Sequence, residues 1–328
     1  MNVLVTGATG FTGGALCRVL LERGATVRGL VRASSDTAAL ETLGVELAVG
    51  DLGEDAPLDD AVAGIDTVFH VAAAWRVESL PIEAYWDINV GGTRRLLEAA
   101  ERAGVRRFVH TSTVGVQGHI DEGPASEEYR YGPGDHYQES KRDAELLALR
   151  FARERGLPVV VVRPAGIYGP GDLRFLKLFR FIREGRFRMI GSGEIHYHFT
   201  CIDDLVRGIA LTGEHPDAAG EVFTIAGGAS VSLNELVALI ARILDAPDPA
   251  RRRHIPVAPV MAAAVLCEAI CRPLRIQPPL YRRRVDFFTH HRSFDVSKAE
   301  RVLGFRAEVP LEEGLRRLAE WYRAEGLL

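Results

Sequence analysis

Tyr137 and Lys141 stand four residues apart in the run His136-Tyr137-Gln138-Glu139-Ser140-Lys141. On a helix that spacing puts both side chains on one face. A free phenol, with a pKa of about 10, is a poor base at neutral pH. A neighbouring ammonium favours the phenolate, and so does the positive ring of an oxidised nicotinamide. Such a tyrosine can exchange the proton of a substrate hydroxyl while hydride passes to or from a nicotinamide. A hydroxyl donor is also needed to orient the substrate oxygen. The stretch Phe108-Val109-His110-Thr111-Ser112-Thr113 supplies one in Thr113 or Ser112.

A second constellation lies at the start of the chain, Val3-Leu4-Val5-Thr6-Gly7-Ala8-Thr9-Gly10-Phe11-Thr12-Gly13. A strand pattern runs into a glycine loop and then into a helix pattern. Gly7 permits the tight turn, Gly10 a close backbone approach to a pyrophosphate, and Gly13 close packing of helix on sheet. N–H groups at the helix start then face the phosphates, helped by the helix dipole. The spacing is Gly-x-x-Gly-x-x-Gly rather than the usual Gly-x-Gly-x-x-Gly. In the next strand, Val27-Arg28-Gly29-Leu30-Val31-Arg32-Ala33-Ser34, no acid stands where it would hold a ribose 2′-hydroxyl. Arg32 suits a 2′-phosphate instead, so NADP is the preferred cofactor, with NAD possible. Asp51 and Leu52 are placed to hold the adenine. Val71, Ala72 and Ala73 are small enough for close approach to the cofactor.

These residues need a scaffold. Asn2–Thr6, Thr26–Val31, Val45–Val49, Thr67–His70, Arg107–His110 and Val159–Arg163 read as short apolar strands. Thr12–Arg23, Leu58–Val62, Ala84–Ala103 and Tyr137–Arg155 read as helices between them. That alternation predicts an α/β protein, a doubly wound parallel sheet of the Rossmann type covered on both faces. The expected dinucleotide-binding domain spans residues 1–165, with 201–228 returning to it. Residues 166–200 and 229–328 make a smaller, mostly helical substrate lobe, with helices expected at Phe175–Arg183, Ser232–Leu244, Val260–Cys271, Val296–Leu303 and Leu311–Ala324.

The chain has 328 residues and a net charge of −4, a balance that argues against nucleic acid as a partner. It opens on a strand pattern with no leader-like segment, and its four cysteines (Cys17, Cys201, Cys267, Cys271) are scattered and complete no metal set. A cytoplasmic protein with reduced thiols is the expectation. Val257–Cys271 is the most apolar segment, too short to span a bilayer. It is expected as a core or lid helix, and membrane contact through 257–275 is the alternative that Arg272 and Arg275 favour. The basic triplets Arg251–Arg253 and Arg282–Arg284 read as solvated, with a diphosphate or an acidic membrane surface as alternatives.

With these motifs in order along nearly the whole chain, the sequence resembles the extended short-chain dehydrogenases/reductases, the family of NAD-dependent epimerases and dehydratases. The matching pieces are Thr6–Gly13, Gly50-Asp51-Leu52, Asn89-Val90-Gly91-Gly92-Thr93, Thr111–Gly118, Tyr137–Lys141 and Arg163–Gly171. The likeness continues in Phe294–Ala299, Leu303-Gly304-Phe305 and Glu312–Leu315. The resemblance implies a catalytic Thr113, Tyr137 and Lys141, an Asn89 that holds the active-site backbone, and cofactor contacts from Pro164, Ala165 and Ile167. It also implies a homodimer built on the helices at 84–103 and 137–155. Nucleotide-sugar members usually carry Asn at the place of Ala165, often Tyr at Gln117, and an acid near Val31. The pattern is closer to 3β-hydroxysteroid and sterol-carboxylate dehydrogenases and to dihydroflavonol reductases.

The substrate, a small molecule, is expected among Trp75, Arg76, Gln117, Tyr168, Phe175, His196, His198 and Phe199, most of them in loops after strands. Three readings follow: a dehydrogenase or reductase of a secondary alcohol or ketone, a nucleotide-sugar epimerase or dehydratase with tightly held NAD, and a non-catalytic dinucleotide sensor. The intact Thr113, Tyr137 and Lys141 speak against the sensor.

Overall fold

The computed structural model describes residues 1–53, 58–75, 80–251, 253–271, 273, 276 and 278–328. Its first elements are β1 (Asn2–Thr6), α1 (Phe11–Glu22), β2 (Thr26–Val31), α2 (Ala38–Thr42) and β3 (Glu46–Val49). Then come α3 (Asp59–Val62), β4 (Thr67–His70), α4 (Ile82–Trp86), α5 (Gly92–Arg102), β5 (Arg107–Thr111), α6 (His136–Arg155) and β6 (Val159–Pro164). They are followed by β7 (Gly166–Tyr168), α7 (Leu176–Arg183), β8 (His196–Tyr197), β9 (Phe199–Cys201), α8 (Ile202–Glu214) and β10 (Val222–Ile225). The remaining elements are β11 (Val231–Ser232), α9 (Leu233–Ile243), α10 (Val257–Cys271), α11 (Arg282–Asp286), α12 (Ser297–Leu303) and α13 (Leu311–Ala324).

Seven parallel strands form the main sheet in the order β10-β6-β5-β4-β1-β2-β3. The order reverses direction between β1 and β4, which leaves a crevice at their carboxyl ends, where open α/β sheets bind ligands. Val3, Leu4, Val5 and Val159–Val162 are wholly buried, because helices cover both faces of the sheet. The doubly wound parallel sheet is the one the alternating pattern predicts. Two small sheets, β7 with β9 and β8 with β11, lie outside it.

One expectation needs refining and two need correction. The long helix expected at 84–103 runs without a break from Ile82 to Arg102, but it widens into a π-type turn at Asp87–Gly91, between α4 and α5, which carries Asn89. α8 fell in no expected helix. Gly208 and Gly213 dilute its helical signal, yet each is needed where the helix lies against the sheet. A Cβ on Gly208 would come within 2.9 Å of Ile225, and one on Gly213 within 2.5 Å of the Phe69 ring. Finally, α10, expected as a core or lid helix, does not lie in the core. Only Ala264 and Glu268 of it are buried.

Candidate active site

β1 ends at Thr6, and Gly7 turns the chain with φ +68°. A Cβ there would sit 2.9 Å from the backbone of Ala72, after β4, so glycine is required where the two loops meet at the switch point. A Cβ on Gly13 would fall 2.0 Å from the Gly7 carbonyl oxygen. α1 therefore presses its first turn against the loop. Its N-cap is Gly10, no side chain caps it, and its first turn holds no acid. That leaves first-turn N–H groups of α1, at Phe11, Thr12 and Gly13, suited to a phosphate. Thr9 lies in the loop between Gly7 and Gly10. The cradle fits a dinucleotide.

At the outer end of this edge, Arg32 is exposed just beyond β2, and no described acid pairs with it. Leu52 is buried in the core with Leu30 and Leu58. Asp51 is half-buried and accepts from the Gly53 N–H at 2.8 Å. Val71 and Ala73 are half-buried beside Ala72.

A continuous polar chain ties the glycine turn to the tyrosine helix. The register sets Thr6 opposite His70. The Ala72 N–H donates to Thr6 Oγ1 at 3.1 Å, and Thr6 Oγ1 lies 2.8 Å from His70 Nδ1. His70 Nε2 lies 2.9 Å from Thr93 Oγ1, which donates to the Asn89 carbonyl at 2.6 Å. Because the Thr93 hydroxyl proton is spent on that carbonyl, Thr93 accepts from His70 Nε2–H, and Nδ1 accepts from Thr6. His70 is thus a neutral imidazole, and burial brings its pKa down to about 3, with the Lys141 charge adding to the effect. The Asn89 side chain accepts from the Ala74 N–H at 2.8 Å and donates to the Ala74 carbonyl at 3.2 Å and to Ser140 Oγ at 2.9 Å. Ser140 in turn donates to the Tyr137 carbonyl at 2.9 Å. Asn89, 1% exposed, clamps the loop after β4 to α6.

α6 begins where Asp135 accepts from the Gln138 N–H at 2.6 Å and ends at Gly156 in the left-handed region. Tyr137 is therefore in the first turn, where the helix dipole favours a phenolate. It is half-buried. Lys141, one turn on, is 1% exposed, and burial brings its ammonium down to about 8 against the opposing pull of Glu145. Thr113 stands after β5, half-buried, and its hydroxyl accepts from the Gly115 N–H at 3.1 Å. The turn that follows packs against the first turn of α6: a Cβ on Gly115 would lie 2.8 Å from the Gln138 amide nitrogen.

Ser112 is not the alternative donor. Its hydroxyl donates to Glu145 at 2.5 Å, and Glu145 also takes a 2.8 Å bond from Tyr131 and a buried ion pair from Arg163 at 2.5 Å. This cluster ties the end of β5 to β6 and α6. His110, wholly buried in β5, has no hydrogen-bond partner at either ring nitrogen among the described residues.

Several residues expected at the substrate are buried and engaged within the fold. Gln117 is wholly buried and donates to the Ser126 carbonyl at 2.6 Å. Tyr168, 2% exposed, packs edge-on to Phe175 and Phe199 in the core, and burial pushes its phenol far up. Phe199 is buried and Phe175 half-buried in the same cluster. His198 is buried, its ring nitrogens 3.2 and 2.8 Å from the carbonyls of Phe294 and Gly227. Ala165 packs with Val114, Ile120 and Phe294, while Pro164 ends β6 and the half-buried Ile167 lies in β7. His196 is half-buried, its ring stacked at 6.0 Å on that of His291. Trp75 remains at the crevice, 42% exposed, with the Arg174 guanidinium 5.4 Å over its ring. Arg76 lies outside the described residues. Arg174 escaped the sequence reading. It spans Phe11 and Trp75 and pairs with the buried Asp172, so it links the loop after β7 to the glycine turn.

A doubly wound sheet with a glycine turn at its switch point, and a Tyr–Lys pair on the helix beside it, defines a dinucleotide-dependent enzyme fold. Residues 3–226 match the NAD dependent epimerase/dehydratase family, and the chain belongs to it. The chain is 34% identical over 333 residues to 2-alkyl-3-oxoalkanoate reductase of Stenotrophomonas maltophilia, covering 97% of this chain and 98% of that one. It is 32% identical over 342 residues to sterol demethylase protein B of Methylococcus capsulatus, over the whole of both. Among solved structures, MoeE5 in complex with UDP-glucose and NAD superposes with a TM-score of 0.76 at 31% identity, over 99% of each chain. The family and these relatives are NAD-dependent dehydrogenases, reductases and epimerases, and the chain is an enzyme of that kind.

Proposed function

We propose that the protein is a reductase or dehydrogenase that interconverts a secondary alcohol and a ketone on an apolar substrate, with NADP as the preferred cofactor. The observation that carries the chemistry is the position of Tyr137 in the first turn of α6, one turn before the buried Lys141, in the turn of helix against which the segment after Thr113 packs. The Lys141 charge and the helix N-terminus lower the cost of the phenolate. Tyr137 gives or takes the hydroxyl proton, and Thr113 orients the substrate oxygen. The nicotinamide, when bound, supplies or accepts the hydride. Asn89 positions this set through Ser140 and Ala74.

An apolar substrate is favoured because the polar groups expected to meet it are spent within the fold: the Gln117 amide nitrogen and His198 bond to backbone carbonyls, and Ala165 lies in an apolar cluster. The sterol and alkyl-oxoalkanoate names of two relatives point the same way. Arg32, exposed and without an acidic partner among the described residues, supports the 2′-phosphate. The nucleotide-sugar epimerase reading draws on the likeness to MoeE5 with UDP-glucose and NAD.

The test is to release and identify any nucleotide from the purified protein, titrate NAD and NADP, and screen apolar ketones with wild type and Tyr137→Phe. An empty site, tighter NADP binding that Arg32→Ala removes, and turnover lost in Tyr137→Phe with cofactor binding kept are the expected results. Stoichiometric retained NAD without net turnover would transfer the assignment to an epimerase.

A further inference from the structure

α10 is apolar on both of its faces. Ala264 and Glu268 face inward, with Val257, Val260, Met261, Cys267 and Cys271 half-buried on the same stripe. The opposite stripe is exposed and carries no polar residue: Ala258, Pro259, Ala262, Ala263, Val265, Leu266, Ala269 and Ile270. Leu266 is 62% exposed and Ile270 55%, and Ile255 and Ile276, just outside the helix, are exposed too. A soluble surface rarely gathers large apolar side chains in this way without a partner.

The helix is held from beneath at both ends. Ile255, just before it, pairs with the strand-like segment at Met189–Gly191, its N–H donating to Met189 at 2.8 Å and its carbonyl accepting from Gly191 at 2.9 Å. Further along, the inward-facing Glu268 accepts from the Arg282 N–H at 2.8 Å and pairs with its guanidinium at 3.1 Å. The apolar stripe is thus presented on a fixed support.

Charge identifies the occupant. Residues 251–284 hold eight arginines, no lysine or aspartate, and the single Glu268, a net +7 in a chain whose total is −4. Arg251 and Arg253 are exposed before the helix, and Arg282 and Arg284 after it. An apolar stripe between basic ends matches the surface of a bilayer bearing anionic lipid: side chains enter the acyl boundary and guanidinium groups meet the headgroups. At about 1.5 Å per residue the helix is about 22 Å long, and no helix of the described residues is long and apolar enough to cross a membrane. We infer that α10 and its flanking arginines form a docking surface on which the enzyme lies against an anionic lipid bilayer.

The test is sedimentation of the full chain with phosphatidylcholine vesicles, with and without phosphatidylglycerol, at low and high salt. It compares wild type with the double variant Leu266→Glu, Ile270→Glu. Both positions are exposed, so the variant is expected to keep the wild-type circular dichroism and melting temperature. Wild type should sediment with the anionic vesicles, release at high salt, and lose at least about tenfold in binding in the variant. Wild type that stays in solution, or a variant that binds equally well, overturns the inference. So does a wild-type dimer, seen by light scattering without vesicles and lost in the variant, if vesicles capture neither protein: the face then belongs to a second copy. The readout uses neither cofactor nor substrate, so it is independent of the redox chemistry.

Discussion

The proposed chemistry needs Lys141 charged one turn from Tyr137, and the fold makes that charge costly. The side chain is 1% exposed, and its pKa falls from 10.5 to about 8 because burial removes water from the ammonium. At about 1.4 kcal/mol per pH unit, the native state then carries on the order of 3 kcal/mol against a protonated Lys141. Lys141→Met keeps similar bulk and removes that penalty, while Glu145 keeps its pairing with Arg163. Below pH 8 the lysine is protonated in both native and unfolded chains, so the penalty is present in full. Between pH 8 and 10.5 the unfolded chain still binds a proton that the native one has released, so wild-type stability recovers as pH rises. Above 10.5 neither binds it. The variant should therefore be more stable than wild type at neutral pH, with an advantage that shrinks toward zero across that window. Its turnover should fall by about a hundredfold or more. Urea denaturation of both cofactor-free proteins, followed by circular dichroism at intervals from neutral pH to beyond 10.5, measures the difference. A variant less stable at neutral pH, or a difference that does not change with pH, would refute the reasoning.

Two further outcomes follow from the same geometry. Gly13→Ala places a methyl 2.0 Å from the Gly7 carbonyl and should abolish nucleotide binding in a fluorescence titration, whereas Gly14→Ala, whose nearest atom is 3.3 Å away, should leave it largely intact. Glu145→Gln strands the buried Arg163 guanidinium without its counter-charge and should cost about 3–5 kcal/mol in urea denaturation. The pair replaced together by methionines should cost less than that single change, which a double-mutant cycle would reveal.

What could be read in advance was local. The strands of the sheet were legible because buried parallel strands are short apolar runs, and the glycine turn because only glycine tolerates the left-handed φ of Gly7 and the close approach at Gly13. Tyr137 and Lys141 were legible because a helix repeats its face every four residues. The supports of the site were not, apart from Asn89, which the family resemblance implied. Thr6, His70, Thr93 and Ser140 come from β1, β4, α5 and α6, and only strand register brings the first two together. The surroundings of Gln117, Tyr168 and His198 were not legible either, because residue type alone does not show that Tyr168 packs among aromatic rings or that Gln117 and His198 reach the carbonyls of Ser126 and Gly227.

α10 shows a limit of a different kind. An amphipathic helix announces its buried side through its polar one. Val257–Cys271 has no polar side, and its one charged residue, Glu268, faces inward because Arg282 meets it there. The apolar pattern was equally compatible with a core helix and with an exposed one, and only the packing of the helix selects between them. Once the helix is on the surface, its composition changes meaning. Thirteen residues from Ala258 to Ile270 without an outward polar group would be unremarkable in a core, yet on a water-facing surface they require something to cover them. The arginines at either end, read in the sequence as solvated with an acidic membrane surface as one alternative, then supply the chemistry of the cover.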